Sequence, residues 1–166
     1  MKRNIALLIC LLICCEMCAC GVSPGRSSSS VKFYYRLEEI SYESGTNVVN
    51  SETFDAGSHR SDLEYLIQKY LAGPRTSKLS SPFPNGVKLS HITVQDNAVN
   101  IILSNDLATL TGYELTVACA CMTLTILDIT QAESVLISAE SALLNNAEYI
   151  TMDASCIYLL DGAVKK

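Results

Sequence analysis

Two patterns of apolar and polar positions alternate along this chain, and they predict its elements. Val31, Phe33 and Tyr35 alternate with Lys32, Tyr34 and Arg36, the period of two expected of a half-buried strand. Asn47 to Ala56 reads as a second strand after the Ser44-Gly45 turn. The period then changes. Leu63, Leu66, Ile67, Tyr70 and Leu71 fall on one face of a helix. Ser61-Asp62-Leu63-Glu64 before it has the form of a capping box, with Ser61 as cap and Glu64 reaching back. Gly73 is placed for the left-handed turn that ends a helix, and Pro74 forbids its continuation.

A turn-rich stretch follows, Ser80-Ser81-Pro82-Phe83-Pro84-Asn85-Gly86, in which the prolines fix φ and Asn85-Gly86 suits a tight turn. Val87 to Gln95 and Ala98 to Ser104 read as strands joined at Asp96-Asn97, a pair that tolerates positive φ in a hairpin. On the second of them Val99, Ile101 and Leu103 share a face. Leu115 to Leu127 reads as the second helix, with Val117, Ala120, Leu124 and Leu127 at three- and four-residue steps and Cys121 beside them. Its threonines lower intrinsic helix propensity, so packing must hold it. Ser134 to Ala139 makes another strand, and Tyr149 to Leu160 a terminal element whose type the pattern leaves open.

The first 30 residues follow neither pattern. Lys2 and Arg3 precede an apolar run, Ile5 to Ile13, too short to span a bilayer, as in a signal peptide. Met17-Cys18-Ala19-Cys20-Gly21 resembles the lipobox of bacterial lipoproteins, with a small residue before the cysteine and Gly after it. The resemblance implies cleavage after Ala19, lipid attachment at Cys20 and a palmitate-type acyl anchor in the membrane; an ordinary secreted protein cut at the same place is the alternative. Gly21 to Ser30 (GVSPGRSSSS) is too poor in apolar residues to order itself and reads as a tether. The expected organisation is a signal peptide at 1–19, a lipidated Cys and tether at 20–30, one domain at 31–161 and a tail at 162–166.

Composition changes its meaning once the leader is set aside. The whole chain has 166 residues, 49% apolar, eight cysteines and a net charge of -5. The leader holds four of those cysteines, and without it the charge is -6. An acidic balance argues against nucleic acid, whose phosphates demand a basic surface, and against a polybasic grip on lipid.

The chemistry-bearing residues are few. His59 lies just before the first helix and His91 within a strand, and neither sits in a motif that brings a nucleophile and an orienting partner near, so both read as structural. Cys119 and Cys121 lie two apart on a helix and point about 200° from each other, so they cannot grip one metal ion together. Cys121 reads as a small core residue; a disulfide between Cys119 and Cys156 is the alternative fate of the other two. The acidic residues show no calcium-loop spacing and the glycines no phosphate cradle. No catalytic residue, metal ligand or cofactor is expected. Phe83, between two prolines, is either an exposed anchor for a partner or a core residue closing over the sheet. Open sheet edges are a second candidate surface.

The order Leu71-Ala72-Gly73-Pro74, then Ser81-Pro82-Phe83-Pro84-Asn85-Gly86, then the Asp96-Asn97 hairpin, then Glu114-Leu115 opening a helix with Leu124-Thr125, resembles the GerMN domain of sporulation and spore-germination proteins. The likeness runs from about Val31 to Asp161. Ile102, where a polar residue is common, and Asp128-Ile129, in place of the usual Pro-Gly, depart from it. It implies a small α+β domain similar to ring-building motifs, a sheet of about three to five strands with two helices packed on one face. It also implies a non-enzymatic assembly module of sporulation, germination or another cell-envelope complex, with a homo-oligomeric ring as one arrangement. The place implied is the outer face of the cell membrane, or the outer forespore membrane in a spore former. A ligand-binding lipoprotein serving a transporter or receptor is the alternative, and an extracellular hydrolase a weaker third.

Overall fold

The computed structural model describes residues 29–39 and 47–157. The leader, Cys20, most of the tether, the Ser44-Gly45 turn and the tail from residue 162 lie outside them, as do residues 158–160 of the terminal element. Strand β1 (Ser30–Leu37) pairs antiparallel with β2 (Val49–Asp55), from Ser30 opposite Asp55 to Arg36 opposite Val49. Val31, Phe33 and Tyr35 are buried, as the alternation predicts. A two-residue strand β3 (Leu79–Ser80) pairs with the other edge of β1 only at Arg36 and Leu37.

Helix α1 (Leu63–Leu71) lies between β2 and β3 in the chain and buries Leu66, Ile67 and Tyr70. Its cap differs from the expected one. Asp62, not Ser61, is the N-cap: its Oδ1 accepts the Tyr65 N–H at 3.0 Å, while Glu64 accepts from Gln68 one turn on. An aspartate one residue nearer the helix satisfies the Tyr65 N–H, where a Ser61 cap would have taken that of Glu64, and adds a negative charge at the positive end of the helix dipole, so the helix starts one residue later than the box predicts. At the other end Gly73 takes φ +95°, and its N–H donates to the Tyr70 carbonyl at 3.1 Å.

The second sheet runs β4 (Leu89–Gln95), β5 (Ala98–Leu103), β6 (Ser134–Ala139), β7 (Ile150–Asp153). Asp96 and Asn97 both have positive φ, which gives the β4–β5 hairpin the twist its strands need. Val99, Ile101 and Leu103 are fully buried, each contributing about 1.5–3 kcal/mol relative to exposure. Strands β5 and β6 are parallel, in register from Ala98 opposite Ser134 to Leu103 opposite Ala139. Parallel neighbours need a long crossover. That crossover carries helix α2 (Gly112–Thr130).

Helix α2 packs against β1 of the first sheet and against β6 and β7 of the second. Leu115, Ala118, Cys119, Met122, Ile126 and Ile129 enter the main core, while Val117 and Cys121 meet Val49, with Leu124 packed beside them. The single stripe expected from the sequence is therefore the minor one; a helix held between two sheets is apolar on most of its circumference. By length and hydropathy α2 also passes for a membrane span, but 56% of that stretch is buried within the domain. The helix continues through Asp128 and Ile129, where the family pattern has Pro-Gly, and ends only at Gln131 in the left-handed conformation (φ +62°).

Polar residues on α2 complete the first sheet. The outer edge of β1 is unpaired by strand over most of its length, and the helix supplies the acceptors: the Lys32 N–H donates to Asp128 Oδ2 and the Tyr34 N–H to Thr125 Oγ1, both at 2.9 Å. Thr123 has no such duty. Its hydroxyl is buried with no hydrogen-bond partner. Burying a lone hydroxyl costs on the order of 1–3 kcal/mol, so Thr123→Val, which keeps the branched shape, is expected to leave the fold unchanged and raise stability by about 1 kcal/mol. Equilibrium urea unfolding of the two proteins checks this, and a lowered midpoint would show that the hydroxyl is satisfied.

The architecture is the expected α+β class with two helices. Its strands divide between two sheets, one of three and one of four, rather than forming one sheet with both helices on one face. The division follows from β1–β2 closing on itself as a hairpin unit and α2 separating that unit from β6.

Candidate interaction surface

The Pro-Phe-Pro loop leaves β3 and is fixed by its own backbone. Phe83 N–H donates to Ser81 Oγ at 3.2 Å, and beyond it Gly86 takes φ +95° so that Val87 N–H can reach the Pro84 carbonyl at 3.4 Å. This geometry turns Phe83 inward. Its side chain is 8% exposed and meets Tyr70 edge-on, ring centroids 5.6 Å apart. Of the two roles open to Phe83 in the sequence, the structure gives it the core one; it is not an exposed anchor.

Tyr70 is the centre of that core. It touches Phe33 at 5.5 Å and Tyr35 at 5.0 Å, and Phe33 stacks on Phe54 at 4.9 Å. Its hydroxyl donates to the Tyr34 carbonyl at 2.8 Å, and the Tyr35 hydroxyl donates to the Tyr70 carbonyl at 2.9 Å. Complete burial pushes the Tyr70 hydroxyl well above the usual phenol range, so it remains a donor at every ordinary pH.

Outside this wall, Arg36, Pro82, Phe83, Pro84, Tyr113 and Glu114 line an open groove of about 320 Å³. Arg36 is held at one side by its Nε bond to Ser80 Oγ at 3.3 Å, and Tyr113, 58% exposed, stands at the mouth. Other open grooves, of about 280 to 380 Å³, lie elsewhere on the surface. These sizes sit at or near the lower limit for small-molecule pockets, roughly 300–1,000 Å³.

The remaining candidates stand apart. His59 is exposed, stacked on Tyr65 at 4.2 Å with Nδ1 3.6 Å from Asp62, and that carboxylate already caps α1. His91 is exposed on β4. Cys119 and Cys121 are buried on different sides of α2, and burial pushes both thiols up to about 12, which keeps them protonated and poorly nucleophilic. Cys156 is exposed, and all three described cysteines are free, so the Cys119–Cys156 disulfide is not formed. Among the described residues no group of three or more His, Cys, Asp and Glu side chains comes together as a metal site would require.

A residue that no local sequence pattern marks holds the loop after α1. Glu52 on β2 accepts from the Arg75 N–H at 3.0 Å, from the Thr76 N–H at 3.1 Å and from the Thr76 hydroxyl at 2.9 Å. The Arg75 guanidinium then lies over the Phe54 ring, 4.7 Å from its centroid. Three donors converging on one carboxylate explain why the chain after Gly73-Pro74 takes a fixed path back to β3. Glu52→Ala is expected to cost about 1–2 kcal/mol, the carboxylate being half-buried and water able to replace part of its bonding. Hydrogen exchange would show it as faster exchange of the Arg75 and Thr76 amides with β5 and β6 unchanged. Glu52, Thr125 and Asp128 all act across sequence separations of 23 to 96 residues, which no local pattern displays.

With this architecture in view, the chain can be set beside known proteins. No curated protein matches it at a significant level. Its fold is similar to that of the tandem GerMN domains of the sporulation protein GerM from Bacillus subtilis, with 21% sequence identity and a TM-score of 0.52 over 72% of this chain. The alignment spans 43% of that structure. A crystal structure of a candidate lipoprotein from Clostridium perfringens aligns at 16% identity and a TM-score of 0.46, covering 76% of this chain and 87% of that one. The family model named Germane, described as sporulation and spore germination, matches residues 32–144, which take in both helices and strands β1 to β6 almost entirely. The chain belongs to that family and carries a GerMN domain.

Proposed function

We propose that this protein is a non-enzymatic lipoprotein whose GerMN domain serves as an assembly or interaction module in sporulation, spore germination or another cell-envelope complex. The observation that carries the reading is the family match over residues 32–144. The lipobox around Cys20 supplies the second half of it: diacylglycerol on that thiol tethers the domain to the outer face of the cell membrane, and to the outer forespore membrane where the host makes spores. The tether of about ten residues reaches on the order of 15–20 Å, so the domain works close to the bilayer. The surface supports contact rather than turnover, with open grooves and protonated core thiols among the described residues. A small-molecule carrier for a transporter would be better served by a deep pocket with convergent polar groups.

A tagged chromosomal copy tests the sporulation part of this reading. The protein is expected to appear with the onset of spore formation, and its deletion to lower the yield of heat-resistant spores or slow their germination by at least tenfold. A constant level through growth, with normal spores after deletion, would set the sporulation role aside.

A further inference from the structure

We infer that strand β4 is a self-recognition edge, through which two copies of this chain pair antiparallel about a two-fold axis at Thr93 and join their four-stranded sheets into one of eight strands. The inference does not depend on the lipid anchor or on any sporulation partner.

Each sheet ends in edges, and most are guarded. Strand β3 has two residues, and β7 has four and ends at Asp153. Strand β2 has seven, but carries Glu52 at its middle, so an antiparallel copy would set Glu52 against Glu52. Like charges directly opposite each other are destabilising. Strand β4 also has seven residues, Leu-Ser-His-Ile-Thr-Val-Gln, with no proline and no lysine, arginine or carboxylate. No described strand pairs with its outer edge.

The two halves of β4 differ. Its start is irregular: the register with β5 shifts between Leu89 and His91, and the end of α1 shares a groove with Val87, Lys88 and Leu89. From His91 to Gln95 the ladder is regular. That straight half leaves Val94 60% exposed, although Val94 lies opposite Val99 on the core-facing side of the sheet.

An unguarded edge with an uncovered valine is a template for strand addition. Centred on Thr93, the antiparallel register sets Ile92 of each copy opposite Val94 of the other, and His91 opposite Gln95. The core face would then continue across the junction, covering both valines. The strand is flanked by Lys88 at one end and Asp96 at the other, both exposed. Antiparallel pairing brings the basic end of each copy toward the acidic end of its partner. The contact is isologous and closes at two copies, unlike a head-to-tail ring.

The test uses the purified full-length protein in mild detergent, with Cys156→Ser removing the one exposed thiol among the described residues. Thr93→Cys places a thiol at the axis, and Thr53→Cys, on the outer strand β2, is the control. Mild oxidation is expected to convert at least five times more of the Thr93→Cys protein than of the control into covalent dimer, and Val94→Lys, which sets a charge against the partner's Ile92, to reduce that yield at least fivefold. Sedimentation of the unmutated chain should show a dimer that Val94→Lys dissociates. Equal crosslinking at both positions, a sedimenting monomer at all concentrations, or a dimer untouched by Val94→Lys would each overturn the inference.

Discussion

Tyr70→Ala is expected to destabilise the domain by about 3–5 kcal/mol, enough to unfold most of a population whose total stability lies in the usual range of 5–15 kcal/mol once modest heat or denaturant is added. Tyr70 joins the first sheet, α1 and the Pro-Phe-Pro loop: its ring meets Phe33, Tyr35 and Phe83, and its hydroxyl is bonded to the Tyr34 carbonyl on the edge of β1. Truncation leaves a cavity that the surrounding rings cannot close, because Phe33 and Tyr35 are fixed on β1 while Phe83 is fixed in the Pro-Phe-Pro loop. Tyr70→Phe separates the two contributions. It keeps the packing and leaves the Tyr34 carbonyl unpaired in a half-buried place, for a loss of about 1–2 kcal/mol. Thermal unfolding followed by near-ultraviolet circular dichroism would measure both. A loss for Phe equal to that for Ala would place the stabilisation in the hydroxyl rather than the ring.

The second large effect lies at the other end of the chain. Cys20→Ala is expected to shift the protein wholly from the membrane fraction to the soluble fraction or leave it as unprocessed precursor, and to abolish labelling by a radioactive fatty acid. Each buried methylene of an acyl chain contributes about 0.8 kcal/mol, and anchoring by two chains or more is stable where one chain is marginal. Among the described residues the one helix apolar enough to cross a membrane, α2, is more than half buried inside the domain, and the chain beyond residue 19 is acidic, so neither offers a substitute for the lipid. Unchanged acyl labelling of Cys20→Ala would overturn the assignment. Cleavage without lipid would instead make the protein an ordinary secreted one.

How far the sequence displayed this structure depended on the range of the interaction. Strand β1, helix α1 with its Gly73 ending, the Asp96-Asn97 hairpin and strand β6 are written in local periodicity and turn chemistry, and they appear within a few residues of where the pattern puts them. Elsewhere tertiary contacts decide. Asp62 rather than Ser61 is the cap because two adjacent oxygen-bearing residues offer helix starts one residue apart, and the packing of the first turn selects the one that leaves the Tyr65 N–H to Asp62. The main buried face of α2 is not marked by periodicity, because a helix between two sheets has no broad polar face to set it off. Its threonines read as poor helix formers, yet Thr125 closes the edge of β1. Phe83 kept two readings until the Ser81 turn and the Tyr70 ring fixed its direction. The Glu52 clamp had no sequence signal, its partners lying 23 and 24 residues away in a loop.

Crosslinking in intact cells followed by affinity capture of the full-length protein reports directly whether the domain associates with partners at the membrane. Envelope assembly proteins are expected with the unmutated chain, and at least a tenfold loss of them with Cys20→Ala at equal protein level. Recovery of a small-molecule transporter alone, or the same partners in the same yield without the anchor, would contradict that association.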